Sequence, residues 1–172
     1  MKTMKKVLPL LMLAVLGLVL LGACKPKPAE AVVSNQYAIV FKSTGNPYGE
    51  RQMGGFEDGI KEQGFEAILR APDLPTAEAQ IQMIEQLIAQ HVAAICIVGN
   101  DFDALQPVLS NAMNQGIKVF SLDSSVNPAS RMTHVNQADS EKIGQTLVEA
   151  AYDLAGGSGE FAILSATSQA SN

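Results

Sequence analysis

Cysteine and histidine are scarce here, with two of each among 172 residues. Two cysteines make no disulfide framework, and Cys96 sits in an apolar run (residues 93–98, AAICIV) as a buried core thiol would. No histidine or cysteine stands at metal-ligand spacing with another ligand, and His91 and His134 read as ordinary surface or edge residues. A nucleophile–base pair and a phosphate-binding glycine loop are also missing. Gly54-Gly55 falls inside a predicted helix and lacks the loop spacing. Neither enzyme chemistry nor a resident cofactor or metal is therefore expected. Basic charge is short too, with 12 Lys and Arg against 17 Asp and Glu. Such a balance argues against a nucleic-acid partner. The apolar run Val7–Leu21 is shorter than the ~20 residues of a spanning helix, and Pro9 and Gly17 interrupt it.

That run instead has the order of a secretory leader. Lys2, Lys5 and Lys6 precede it, and Leu21, Gly22, Ala23 and Cys24 follow it. The last four residues resemble a bacterial lipobox, in which the cysteine is lipidated and becomes the new N-terminus. Residues 1–23 are thus expected to be a lipoprotein signal peptide, Cys24 the lipidation site, and residues 24–36 a tether rich in proline. Loss of the three leader lysines leaves nine bases against 17 acids.

Beyond the tether, strand-like and helix-like patterns alternate. Apolar runs at 37–42, 65–70, 93–98, 117–122, 132–135 and 160–164 read as six strands. Helical spacing falls at 47–63, from Thr76 onward, at 103–115 and at 138–155. Asn46 suits an N-cap and Pro47 a first helical position, while Gly64, Gly116 and Gly156-Gly157 read as stops. Alternation with short connections predicts an α/β fold, a three-layer parallel sheet with helices on both faces.

In such sheets ligands lie beyond the carboxyl ends of the strands. Those ends carry Lys42-Ser43, Asn100-Asp101, Asp123-Ser124, Asn136-Gln137 and Ser165. Carboxylates accept hydrogen bonds and amides both accept and donate, so this edge suits a polyhydroxylated ligand. Loops at strand ends are polar anyway, and Asp101 and Asp103 are left open between ligand contact and capping. Asp123 has no helix close behind it to cap. Tyr48 offers its ring either to an apolar sugar face or to the sheet edge.

Six segments then resemble one family: 41–48 (FKSTGNPY), 79–90 (AQIQMIEQLIAQ), 100–105 (NDFDAL), 113–119 (MNQGIKV), 122–125 (LDSS) and 163–172 (ILSATSQASN). In this order they resemble the type I periplasmic binding proteins that feed ABC transporters, in the branch of rhamnose-binding and autoinducer-2-binding proteins. The resemblance implies sugar capture outside the membrane for an ABC permease and ATPase complex. Lys42 matches a lysine that ends strand one in the autoinducer branch. Asp123 matches an aspartate that accepts ligand hydroxyls, and Asn46 and Tyr48 match an Asn-Pro-aromatic segment lining the pocket. Asn172 falls where the autoinducer branch has aspartate and the rhamnose-like branch asparagine, which tilts the reading toward rhamnose. Ser124 after Asp123 removes the ribose-type Asp-Arg pair. Ligand contacts are thus expected at Lys42, Asn46, Tyr48, Asn100, Asp101, Asp123, Asn136 and Asn172.

The same resemblance divides the chain into a first lobe at 37–136 and the start of a second at 137–172. Relatives have two lobes, so a truncated reading frame is expected, with weak or no binding. A micromolar complex needs about −8 kcal/mol, and charged hydrogen bonds bring about 1.5–3 kcal/mol each. A sensory receptor for autoinducer-2 or a sugar, signalling to a membrane kinase or chemosensor, is the alternative. A repressor of the same fold would need a DNA-binding N-terminus where the leader stands.

Overall fold

The computed structural model describes residues 34–164, so the leader, Cys24 and Asn172 lie outside the described residues. Five strands are β1 (Gln36–Val40), β2 (Glu66–Arg70), β3 (Ala94–Ile97), β4 (Lys118–Leu122) and β5 (Thr133–Val135). Between them come α1 (Pro47–Glu62), α2 (Ala77–Ala89) and α3 (Gln106–Asn114), and α4 (Ser140–Leu154) follows β5. All strand pairs are parallel, in the order β2-β1-β3-β4-β5. The chain winds one way from β1 to β2, then crosses back to β3 and continues the other way. This puts a topological switch point between β1 and β3, where a crevice opens at the strands' carboxyl ends.

Local chemistry places the helix ends. Asn46 caps α1, its side-chain oxygen accepting from the Tyr48 and Gly49 N–H groups, with Pro47 in the first turn. Thr76 caps α2 through the Ala79 N–H, and Asp139 caps α4 through the Lys142 N–H. Each device satisfies backbone donors that a helix start leaves unpaired.

One face of the sheet carries Ala38, Val40, Ile95, Ile97 and Val119, packed with Ile84, Leu87 and Ile88 of α2 and Val108, Leu109 and Ala112 of α3. Side chains alternate across a strand, so Ile39 and Phe41 point to the other face. There α1 comes so close that a Cβ on Gly49 would overlap the Phe41 ring. Helices thus cover both faces. Cys96 is buried, and burial pushes its thiol up to about 12, so it remains protonated and inert.

Two expectations need correction. The helix expected from Asp103 begins at Gln106, because Asp101 caps a turn through the Asp103 and Ala104 N–H groups. The sixth strand expected at 160–164 does not form. A strand needs a neighbour to pair its backbone, and Phe161, Ile163 and Leu164 are 70%, 86% and 95% exposed. No residue of α4 is buried.

Gly49 and Gly54 lie on the same helix but differ in surroundings, since nothing lies within 4 Å of a Cβ at Gly54. Gly49→Ala should cost about 1–3 kcal/mol by overpacking. Gly54→Ala should gain up to ~1 kcal/mol of helix propensity. Urea unfolding of the two variants beside the parent checks both signs.

Candidate functional site

The crevice is built from the residues that follow β1, β3 and β4. Lys42 comes two residues after β1 and is half-buried. Burial lowers its pKa from the ordinary lysine value, and the nearby Asp123 carboxylate opposes that shift. Asp123 follows β4 directly, is only 8% exposed and has φ of 59°. Its N–H donates to the Val135 carbonyl at 3.2 Å, which holds this left-handed corner against β5. Aspartate tolerates that conformation better than most residues. A buried carboxylate beside a half-buried ammonium gives the crevice adjoining acceptors and donors, the pairing that vicinal hydroxyls require.

Beneath them lies a polar group that strand-end reasoning overlooked. Gln80, in the first turns of α2, is fully buried. Its Nε2 donates to the Phe41 carbonyl at 3.0 Å and the Val98 carbonyl at 2.8 Å. Its Oε1 accepts from the Asn100 N–H at 2.9 Å. One side chain thus links the backbones leaving β1 and β3 across the switch point. The signal was present, because Gln80 continues the stripe Ile84, Leu87, Ile88 back by one turn. A glutamine in an apolar stripe must find partners there, and an unmade buried bond costs about 1–3 kcal/mol.

The other expected residues divide by what their side chains already do. The Asn100 Nδ2 donates to the Lys42 carbonyl at 2.8 Å and reaches the Thr76 carbonyl at 3.5 Å, so Asn100 joins Lys42 at the crevice. Asp101 gives one carboxylate oxygen to its own turn, and Asn46 gives its side-chain oxygen to α1. The Tyr48 ring is 47% exposed, and its hydroxyl accepts from Gln52 Nε2 at 2.9 Å. Asn136 follows β5, with Oδ1 at 2.8 Å from His134 Nε2. His134 also meets the buried Ser121 hydroxyl through Nδ1 at 2.7 Å, a relay missed when His134 was read as an ordinary edge residue. Among the described residues, no acidic, histidine or cysteine cluster could hold a metal ion.

The Lys42–Asp123 coupling has a direction that can be measured. Because folding lowers the Lys42 pKa below its unfolded value, the buried charge costs stability, and that cost is relieved as pH rises through the folded pKa. Asp123→Asn keeps a residue that accepts positive φ but removes the opposing charge. Lys42 should then titrate at lower pH still, and the relief should begin earlier. Nitrogen-detected titration of the Lys42 amine in both proteins reads the shift.

Comparison with known proteins gives this geometry a family. An ABC transporter solute-binding protein from Clostridium phytofermentas, with bound L-rhamnose, superimposes with a TM-score of 0.77 at 46% identity, over 80% of this chain and 43% of that one. LsrB from Clostridium saccharobutylicum, in complex with AI-2, has a TM-score of 0.66 at 28% identity, over 73% and 39%. The D-ribose/D-allose-binding protein of Pseudomonas aeruginosa is 31% identical over 103 residues, 58% of this chain and 32% of its own length. The chain therefore spans less than half the length of each of these relatives. A family profile described as a periplasmic binding protein domain matches residues 37–172, and the chain belongs to that family.

Proposed function

We propose that this protein captures a small sugar, rhamnose-like in its hydroxyl pattern, outside the membrane and presents it to an ABC permease and ATPase complex for import. The observation carrying the proposal is the pairing of Lys42, after β1 at the switch point, with Asp123, after β4 at the same carboxyl edge of the sheet. The 46% identity to a rhamnose-bound solute-binding protein supports the choice of ligand. The proposed role is binding without catalysis. Lys42 and Asp123 would contact hydroxyls, Asn100 would border them, and Tyr48, 47% exposed, would cover an apolar sugar face. Asn46, Asp101, Asn136 and Asn172 complete the proposed ligand set. Residues 37–136 form the proposed first lobe, and 137–172 open the second.

Isothermal calorimetry with L-rhamnose, on the protein completed with the second lobe that its relatives have, tests the site. Asp123→Ala should weaken binding at least tenfold, since a hydrogen bond to a charged group contributes about 1.5–3 kcal/mol. Unchanged affinity would remove Asp123 from the site.

A second reading, reception of autoinducer-2 or a sugar for a membrane kinase or chemosensor, is favoured by the likeness to LsrB in complex with AI-2. Titrating AI-2 against L-rhamnose ranks the two ligands.

Export and lipid anchoring through Cys24 belong to the same proposal and rest on the leader at residues 1–23 and the cysteine that follows it. Two or more acyl chains anchor stably, whereas one holds only marginally. Cys24→Ser should move the protein from the membrane fraction to the soluble fraction of expressing cells.

A further inference from the structure

We propose that Gln80 and Asn100 form an amide clamp that positions the ligand-facing end of β1, and that the direction of both amides is part of the binding specificity. The inference rests on the sugar-binding reading for its effect on ligand, but not for the clamp itself.

Both amides turn their NH2 groups toward backbone carbonyls. The Gln80 Nε2 serves Phe41 and Val98, and the Asn100 Nδ2 serves Lys42 and, at 3.5 Å, Thr76. The chain is continuous, because the Gln80 Oε1 accepts the Asn100 N–H. The clamp therefore touches the carbonyls of Phe41 and Lys42, consecutive residues leaving β1, and fixes them against residues 98–100 leaving β3. Asn100 has spent its donors inward and keeps its Oδ1, which has no partner among the described residues. What Asn100 can offer a ligand is thus an acceptor only, and a sugar hydroxyl meeting it must donate.

Substitutions that keep shape but change donors separate this role from simple packing. In Gln80→Glu, an ionised carboxylate would face the Phe41 and Val98 carbonyls with no proton between them. Burial and those carbonyls would raise the carboxyl's pKa above the ordinary glutamate value. The protonated acid has one O–H to donate and one oxygen to accept the Asn100 N–H, so acid restores part of the clamp. Asn100→Asp fails likewise, although it keeps an acceptor for the ligand.

The experiment uses the full chain and two readouts. Without ligand, the Asn100 side-chain amide protons should exchange at least tenfold more slowly than those of the exposed Asn114, as a hydrogen bond of about 1.4 kcal/mol implies. This protection should be lost in Gln80→Glu at about pH 8 and partly recovered at about pH 5. With L-rhamnose, and in the protein completed with a second lobe, affinity of Gln80→Glu should fall about tenfold at pH 8 and recover on acidification. Leu109→Ala, which opens a core cavity away from the strand ends, should keep parental affinity. Unprotected Asn100 amide protons in the parent, or Gln80→Glu affinity that equals the parent at both pH values, would overturn the clamp. If the parent protects Asn100 but no variant or parent binds L-rhamnose, the ligand reading fails and the positioning of β1 stands.

Discussion

The crevice depends on one buried glutamine. Parallel sheets leave their strand-end carbonyls and N–H groups without ladder partners, and at a switch point the diverging crossovers take away the neighbouring chain that would supply them. Here Gln80 fills that gap from α2, donating to the carbonyls of Phe41 and Val98 and accepting from the Asn100 N–H. The same helix packs its apolar stripe on the sheet through Ile84, Leu87 and Ile88. Packing of α2 and alignment of the two strand ends are therefore one event. A shift of the helix along the sheet would break three hydrogen bonds together, two of them buried.

On that base the polar groups of the site fall into place by their backbone positions. Lys42 follows the clamped end of β1, and Asp123 follows β4 with φ of 59°, a corner tied to β5 through the Val135 carbonyl. The ammonium is partly withdrawn from water and the carboxylate largely so, which strengthens any hydrogen bond either makes to a ligand. The Asp123 carboxylate also offsets part of the cost of burying the Lys42 charge.

Much of this was legible before the structure. The five strands that form, the four helices and the cap at Asn46 follow from period, proline and capping chemistry, because these signals are local. Strand-end reasoning also picked out Lys42 and Asp123. It failed where the outcome depends on partners. Residues 160–164 have a strand's composition but, among the described residues, no strand beside them. Asp101 and Asn46, each of which offered both a cap and a ligand contact, do spend a side-chain oxygen on their own turn and helix. Gln80 and the Ser121–His134–Asn136 relay are defined by contacts between separate segments; the apolar stripe shows that Gln80 needs partners, but spacing along the chain does not name them.

The central claim is that ligand is met at the carboxyl ends of β1, β3 and β4. Mapping backbone amide shifts while L-rhamnose is titrated into the protein tests it most directly. The account predicts the largest changes at residues 42–48, 99–103 and 122–125. Changes centred instead on the surface groove between Arg70, Leu74 and Met83 would contradict it.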